Sequence, residues 1–418
     1  MTTYNIEGPE RLNATVDLPA SKSISNRALI IRALSGGNVE LEHISDCDDT
    51  DVMVRALSEM PDTIDIKAAG TSMRFLTALL SATDRGTHLI TGTERMVHRP
   101  IAPLVEALRF LGADISYAGE EGFPPLQIRG KQLVGGPVEM AGNVSSQYIS
   151  AVLLIGPMLR HGLQLRLTDR IMSRPYIDLT LWMMREFGAD ADWTSVDSLS
   201  VEPKAYSRTT PYYIESDWSA ASYWYELLAL CRQDDACVQL QGLMDGSKQG
   251  DSSVRYLFSL LGIHTTFASR VPGSPTMVTL RKSPHRVARL DYDFTGQPDL
   301  AQTFVVCCAM MDIPFHFTGL QTLKIKETDR IEALKREMRK LGYVVSDHEG
   351  RELRWDGERC EPEPGAAIDT YDDHRMALSF APVCMRQPVR INNPYVVSKS
   401  YPQFWDHLRA AGANIYSV

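Results

Sequence analysis

Apolar residues recur along the chain at helical spacing, and the runs stop at glycine. In LVEALRFLGADISY, LTLWMMREFGADADW, VRYLFSLLGIHTTF, LKREMRKLGYVVSD and FWDHLRAAGANIYSV an amphipathic stretch closes on a bulky residue (alanine in the last) and a glycine, then a strand-like run follows. The glycines are Gly112, Gly188, Gly262, Gly342 and Gly412, separated by 76, 74, 80 and 70 residues. Each stands where a helix ends on a residue with φ > 0 before the chain reverses into a strand. A sixth, degenerate copy reads VMVRALSEMPDTIDIKA, with Met60-Pro61 in place of the glycine signal. A period of about 75 residues is too long for the common solenoids. It predicts about six copies of a βα-rich unit. Between glycines, Leu163 to Leu167 alternates as a strand and Leu179 to Met184 has helical spacing. The Pro- and acid-rich stretch 358–365 (ERCEPEPG) reads as a surface loop.

Six further segments place small polar and basic residues just ahead of an apolar-periodic run. They are Ser21-Lys22-Ser23-Ile24-Ser25-Asn26-Arg27, Ala69-Gly70-Thr71-Ser72-Met73-Arg74 and Gly142-Asn143-Val144-Ser145-Ser146-Gln147. The others are Ser216-Asp217-Trp218-Ser219, Lys324-Ile325-Lys326-Glu327-Thr328-Asp329-Arg330 and Asp372-Asp373-His374-Arg375. A helix N-terminus leaves backbone N–H groups unpaired and carries partial positive charge. Hydroxyls and glycine keep that end open, and Lys or Arg adds full charge, so the combination suits phosphate or carboxylate. Any one segment is equally well an ordinary N-cap; Ser145 fits that role, and Asp329 with Glu332 fits a capping box. Several of them together favour a convergent anion site.

Composition narrows the class. The 418 residues include 43 Lys and Arg against 52 Asp and Glu, a net charge of −9. That balance disfavours a general nucleic-acid binder but leaves room for a local basic pocket. At this length the chain folds as about two domains and needs no disulfide or metal. The seven cysteines are irregularly spaced without C-x-x-C, which reads as free thiols in a reducing cytoplasm. The N-terminal stretch lacks the apolar region of a signal peptide, and the longest apolar run, Tyr148 to Leu159, is too short to span a bilayer. P-loop, dinucleotide and nucleophile-elbow signatures are missing. Asp373-His374 is a weak candidate for a triad fragment, and His88 and His98 have no metal-like spacing.

Read in order, SKSISNR (21–27), AGTSMR (69–74), RPI (99–101), VSSQY (144–148), SRPYID (173–178), KETDR (326–330) and DDHRMA (372–377) resemble the 5-enolpyruvylshikimate-3-phosphate synthase family. The resemblance runs from Leu18-Pro19 to Tyr401-Pro402. It implies an α/β, two-globule enolpyruvyl transferase fold, six βαβαββ units in all, with three around a pseudo-threefold axis in each globule. One globule is expected at 21–215, the other at 1–20 plus 216–418, with a hinge near 20 and 214–217. Helix N-termini of both globules are expected to face a cleft whose closure gathers the anion-binding segments.

The implied reaction transfers the enolpyruvyl group of phosphoenolpyruvate to the 5-hydroxyl of shikimate 3-phosphate. Motif by motif, Lys22 is implied to contact phosphoenolpyruvate, and Ser23 and Arg27 shikimate 3-phosphate. Gly70 and Arg99 meet the phosphoenolpyruvate phosphate. Ser145, Ser146 and Gln147 meet shikimate 3-phosphate, with Gln147 near both ligands. Ser173 takes the phosphate of shikimate 3-phosphate, with Tyr176 against the same ligand. Arg330, Arg375 and Lys399 clamp phosphoenolpyruvate, while Asp299 and Lys326 hold the shikimate hydroxyls. Asp299 is the expected base; Glu327, with Lys22, is the expected acid. No metal or organic cofactor, nucleic acid or membrane is implied, and the family precedent is a cytoplasmic monomer.

The chain departs from the family pattern in several places. Ala68 stands for the usual asparagine, Phe75 for proline, and Thr322 for an asparagine that often precedes the Lys-x-Lys stretch. Trp218 and Ala220 alter the Gly-Asp-x-Ser-Ser segment. Phe75 is expected to shift the helix that starts at Gly70. The sister reading, a carboxyvinyltransferase acting on UDP-N-acetylglucosamine, expects a loop cysteine, and Thr91 to Pro100 has none. A non-catalytic anion-binding homologue is the alternative of another class. Against it stand the two acid–base carboxylates, Asp299 and Glu327.

Overall fold

Gly112, Gly188, Gly262, Gly342 and Gly412 all take positive φ, between 86° and 102°, in the computed structural model, which describes residues 2–271 and 273–418. The degenerate copy obeys the same rule by other means: Met60 caps its helix in the left-handed region at φ 43°. A side chain there costs on the order of 1–2 kcal/mol, which glycine avoids. The chain divides into two compact units, Ser21–Ile214 and Met1–Ala20 with Glu215–Val418.

The continuous unit carries helices α1 (Lys22–Leu34), α2 (Asp48–Glu59), α3 (Gly70–Ala82), α4 (Glu94–Val97), α5 (Ala102–Phe110), α6 (Ser146–Ile155) and α7 (Arg174–Glu186). α1, α3 and α6 each touch the other two. Every residue of α3 is buried, and all of α6 but Gln147, because apart from Arg74 and Gln147 both are apolar, aromatic or small on all faces. Two four-stranded sheets cover this core. In one, Thr63–Asp65 pairs parallel with Thr87–Thr91, then Leu126–Arg129 and Asp114–Tyr117 follow antiparallel. The other repeats that pattern with Gly136–Ala141, Leu163–Thr168, Ser198–Val201 and Ala191–Trp193.

The second unit carries α8 (Trp218–Leu230), α9 (Val254–Leu260), α10 (Ala301–Met310), α11 (Arg330–Lys340), α12 (His374–Phe380) and α13 (Phe404–Ala410). α8, α10 and α12 form the same mutual triangle. Phe258, Phe294, Phe304 and Phe317 pack in the same core in tilted and edge-on contacts at centroid distances of 4.7–5.7 Å. Three four-stranded sheets surround this core, each with one parallel and two antiparallel pairings. Asn13–Asp17 pairs parallel with Cys237–Leu243. Thr3–Glu7 lies between Val389–Asn392 and Asn414–Ser417.

The sixth copy is reduced. Among the described residues its sheet has two strands, Leu41–Glu42 parallel to Tyr212–Tyr213. The strand before α1, Asn13–Asp17, belongs to the other unit and completes a sheet there.

The return crossing is pinned inside the second unit. Ser216 bridges to Ala20, and the buried Glu215 carboxylate accepts from Trp218 Nε1 (2.7 Å), Met244 N (2.9 Å), Ser247 Oγ (2.7 Å) and Gln249 Nε2 (2.9 Å). Trp218 is therefore a buried strut of this segment, fully enclosed with its indole N–H paired. No helix among the described residues is long and apolar enough to cross a membrane. All seven cysteines are free, five of them buried.

Candidate functional site

The six polar segments all open helices. Ser21, Ser145, Asp217, Asp329 and Asp373 are side-chain N-caps of α1, α6, α8, α11 and α12, and α3 begins at Gly70. The capping box at α11 is half made. Asp329 accepts from the N–H groups of Ile331 and Glu332, whereas the Glu332 carboxylate takes Lys335 Nζ at 2.7 Å instead of reaching back. α3 runs unbroken through Phe75.

In the continuous unit these starts are tied together. Lys22 Nζ lies 3.2 Å from Asp49 Oδ2, and the backbone oxygen of the buried Asp49 accepts from Ser72 Oγ, so one residue joins α1, α2 and α3. Gln147 Nε2 donates to Thr71 Oγ1 at 3.0 Å, linking α6 to α3. Gly70 is hemmed by two guanidinium groups. A Cβ there would sit 2.6 Å from Arg74 Nη1 and 2.9 Å from Arg99 Nη1. Arg74 Nη1 donates to the Gly70 carbonyl at 2.8 Å, while its buried Nε finds no acceptor.

Arg27 holds α1, α6 and α7 at one point. Nε donates to Thr180 Oγ1 (2.7 Å), Nη1 to the Ser23 carbonyl (2.9 Å), and Nη2 to Ser150 Oγ (3.1 Å) and the Tyr176 carbonyl (3.4 Å). Burial pulls the Arg27 pKa down to about 10. Ser146 is buried at the first turn of α6. Ser173 precedes α7 with φ 53°, a strained conformation for serine, and its hydroxyl does not cap that helix.

In the second unit Arg330 is the centre. Nε donates to Asp373 Oδ2 (2.7 Å), Nη1 to Asp299 Oδ1 (3.0 Å), and Nη2 to Glu327 Oε2 (2.9 Å) and Asp373 Oδ1 (3.2 Å). Arg375 Nη2 reaches Asp299 Oδ2 at 3.2 Å, and Lys326 Nζ lies 3.6 Å from Asp299 Oδ1. Lys399 Nζ is 3.3 Å from Glu327 Oε1. Burial alone would raise the Asp299 pKa, but Arg375, Lys326 and Arg330 outweigh it and hold the carboxyl far below the usual carboxylate range. Burial would likewise lower Arg330, yet Asp373, Glu327 and Asp299 keep it above the ordinary arginine value. Lys326 is lowered by burial, which Asp299 only partly offsets. Thr322 presents a buried hydroxyl with no partner among the described residues.

The structure thus gathers Lys22, Ser23, Arg27, Gly70, Arg99, Ser145, Ser146, Gln147, Ser173 and Tyr176 at helix starts and adjoining turns of one unit. Asp299, Thr322, Lys326, Glu327, Arg330, Arg375 and Lys399 lie in the other. Two residues that sequence reasoning left without a role, Asp49 and Asp251, and one that it read only as a weak triad fragment, Asp373, stand beside these groups. Asp49 holds Lys22, Asp373 orients Arg330, and Asp251 is buried on the turn Gly250–Ser253 with Ser219 Oγ donating to Oδ2. Asp373 is no triad fragment, since its carboxylate is taken by Arg330 and by the Arg375 N–H at 2.9 Å. His88 is structural, with both ring nitrogens 2.8 Å from backbone carbonyls.

Two units of three βα repeats, with cations and hydroxyls at their helix starts, define the enolpyruvyl transferase class. Among solved structures, an EPSP synthase from Acinetobacter baumannii superposes with a TM-score of 0.79 at 22% identity, over 100% of both chains. An enolpyruvyl transferase from Streptomyces tendae gives 0.75 at 16% identity, over 100% of this chain and 99% of that one. Those likenesses establish the fold. The chain belongs to the EPSP synthase (3-phosphoshikimate 1-carboxyvinyltransferase) family, whose model matches residues 6–64 and 58–408. A 3-phosphoshikimate 1-carboxyvinyltransferase of Bacteroides fragilis is 56% identical over 413 residues, 99% of this chain and 98% of that protein.

Proposed function

We propose that the chain transfers the 1-carboxyvinyl group of phosphoenolpyruvate to the 5-hydroxyl of shikimate 3-phosphate, releasing phosphate, as the step its family supplies to aromatic amino-acid biosynthesis. The observation that carries this is the Arg330 cluster. A buried guanidinium sits among two partly accessible carboxylates, Asp299 and Glu327, with Lys326, Arg375 and Lys399 beside them. Substrates bearing two phosphates and two carboxylates need such cations to overcome their own repulsion. In this reading Lys22, Arg330, Arg375 and Lys399 hold phosphoenolpyruvate, Gly70 and Arg99 meet its phosphate, and Gln147 lies near both ligands. Ser23, Arg27, Ser145, Ser146, Gln147, Ser173, Tyr176, Thr322 and Lys326 hold shikimate 3-phosphate.

Asp299 removes the proton of the 5-hydroxyl as oxygen adds to C2. Glu327, with Lys22, supplies a proton to C3. The tetrahedral intermediate then expels phosphate as the proton roles reverse. Asp299 ringed by three cations is a weak base. An incoming anion that takes up the charge of Arg330 and Arg375 raises its basicity, so deprotonation waits for the bound substrate. The cations also stabilise charge developing at C2 and on the leaving phosphate. This chemistry needs no metal or organic cofactor. The reading includes a cytoplasmic monomer, in keeping with seven free cysteines.

Phosphate release tests the assignment. Release should require both substrates and collapse in Asp299→Ala. Release with UDP-N-acetylglucosamine in place of shikimate 3-phosphate would move the chain to the sister activity, and folded wild type inert with both acceptors would leave a non-catalytic homologue.

A further inference from the structure

The two central arginines are held by opposite means. Arg330 is enclosed by carboxylates, whereas Arg27, 2% exposed, has no carboxylate within ion-pair reach among the described residues. Its N–H groups meet two hydroxyls and two backbone carbonyls, all neutral. The guanidinium carbon lies over the ring of Phe75, 5.4 Å from its centroid. Phe75 is fully buried, in the second turn of α3. A cation removed from water gains most from an aromatic face, because little solvent screens the ring quadrupole. A carboxylate in that place would hold the cation better and would also cancel the charge that an anionic ligand must find.

We propose that Phe75 is a positioning residue for Arg27: its ring face fixes the guanidinium while leaving the positive charge uncancelled for the anionic acceptor substrate. The proposal rests on the acceptor being shikimate 3-phosphate, and it concerns that ligand rather than phosphoenolpyruvate. Phe75 touches no reacting atom in this account. It acts through Arg27 alone.

Calorimetry with shikimate 3-phosphate on wild type, Phe75→Leu and Phe75→Trp tests it, paired with the KM for phosphoenolpyruvate. Leucine keeps an apolar side chain and removes the ring. Its Kd for shikimate 3-phosphate should rise about 3- to 30-fold, with the KM for phosphoenolpyruvate changed less than twofold. Tryptophan should restore the affinity. Because leucine could also disturb packing, 3,4,5-trifluorophenylalanine at position 75 gives the second arm. It keeps the shape and drains the ring face of negative potential, so affinity should fall with the melting temperature unchanged. Unaltered affinity in the fluorinated protein, or equal losses for both substrates in Phe75→Leu, overturns the proposal. Wild type that binds no shikimate 3-phosphate refutes the functional reading instead. The ring contact is then judged by the Arg27 Nε–H resonance in 15N NMR, whose solvent exchange fluorination must speed if the contact holds the guanidinium, and whose unchanged exchange overturns it.

Discussion

Arg330 and Asp373 form a two-point pair, Nε to Oδ2 at 2.7 Å and Nη2 to Oδ1 at 3.2 Å, and the Asp373 side chain has no solvent exposure. The same carboxylate caps α12 through the Arg375 N–H. One residue therefore sets the direction of two arginines, one by its side chain and one by its helix. Removing it leaves a buried cation with less compensation. Asp373→Ala is expected to cost about 3–5 kcal/mol of stability, read by denaturant unfolding. Asp373→Asn, which keeps an acceptor for the cap, should retain the fold and raise the KM for phosphoenolpyruvate. An unchanged KM in that variant would show that Arg330 needs no such partner.

Gly70 tests the crowding between Arg74 and Arg99. Its φ is not positive, so alanine meets no backbone strain there, and the added methyl group pushes only on the two guanidinium ends. Gly70→Ala should fold normally and raise the KM for phosphoenolpyruvate about 10- to 100-fold, as expected for charged groups displaced by a fraction of an ångström to 1 Å. Steady-state kinetics alongside a melting curve separates the two effects.

Asp251 supplies a pH dependence. Burial pushes its pKa up to about 6; Arg375 opposes that shift and Asp299 adds to it. Asp217 and the Ser219 hydroxyl also face it. As pH rises through 6 the carboxyl ionises and offsets part of the Arg375 charge. The KM for phosphoenolpyruvate should therefore climb between pH 5 and 7 in wild type. Asp251→Asn should flatten that climb, and a parallel profile in the variant would dismiss Asp251 as its source.

Glu226 gives the clearest stability test. It is fully buried on α8, both carboxyl oxygens lack partners among the described residues, and burial raises its pKa well above the usual value. The folded state keeps the proton that the unfolded chain releases near the ordinary carboxyl pKa. The contribution of Glu226 is thus fully present below that value and is lost as pH rises toward the folded pKa, by up to about 1.4 kcal/mol per pH unit. Glu226→Gln should narrow the stability gap between pH 5.5 and pH 7.5 in urea unfolding. Glu226→Leu should stabilise by about 1–3 kcal/mol at pH 7.5, since it removes an unpaired polar group.

Much of this architecture is legible in one dimension. A glycine at φ > 0 is a local demand, so Gly112 and its four counterparts mark the repeat without tertiary knowledge. Helix starts are local too, which is why Ser145 and Asp329 can be read as caps. What sequence hides is pairing over distance. Asp49 lies 27 residues from Lys22, and Asp373 lies 43 from Arg330. No spacing rule joins them, so Asp49 reads as a plain acid and Asp373 as no more than a weak triad fragment. The missing strands of the sixth copy escape for the same reason, because which sheet Asn13–Asp17 enters is decided 224 residues later by Cys237–Leu243. Glu332 shows a local rule losing to a neighbour, Lys335, that offers a full charge instead of an amide.

The strand Thr3–Glu7 carries a consequence for synthesis. It lies between partners near the other end of the chain; Thr3 and Asn392 are 389 positions apart. At about 5–20 residues per second, the ribosome makes that strand roughly 20–80 s before anything it can pair with. Ser21–Ile214 has no such wait, because all of its sheets are closed within one stretch. The interior half is thus free to fold on the nascent chain. The half that holds Arg330 and Asp299 is not closed until Val389–Asn392 and Asn414–Ser417 emerge, and until then Thr3–Glu7 stays unpaired.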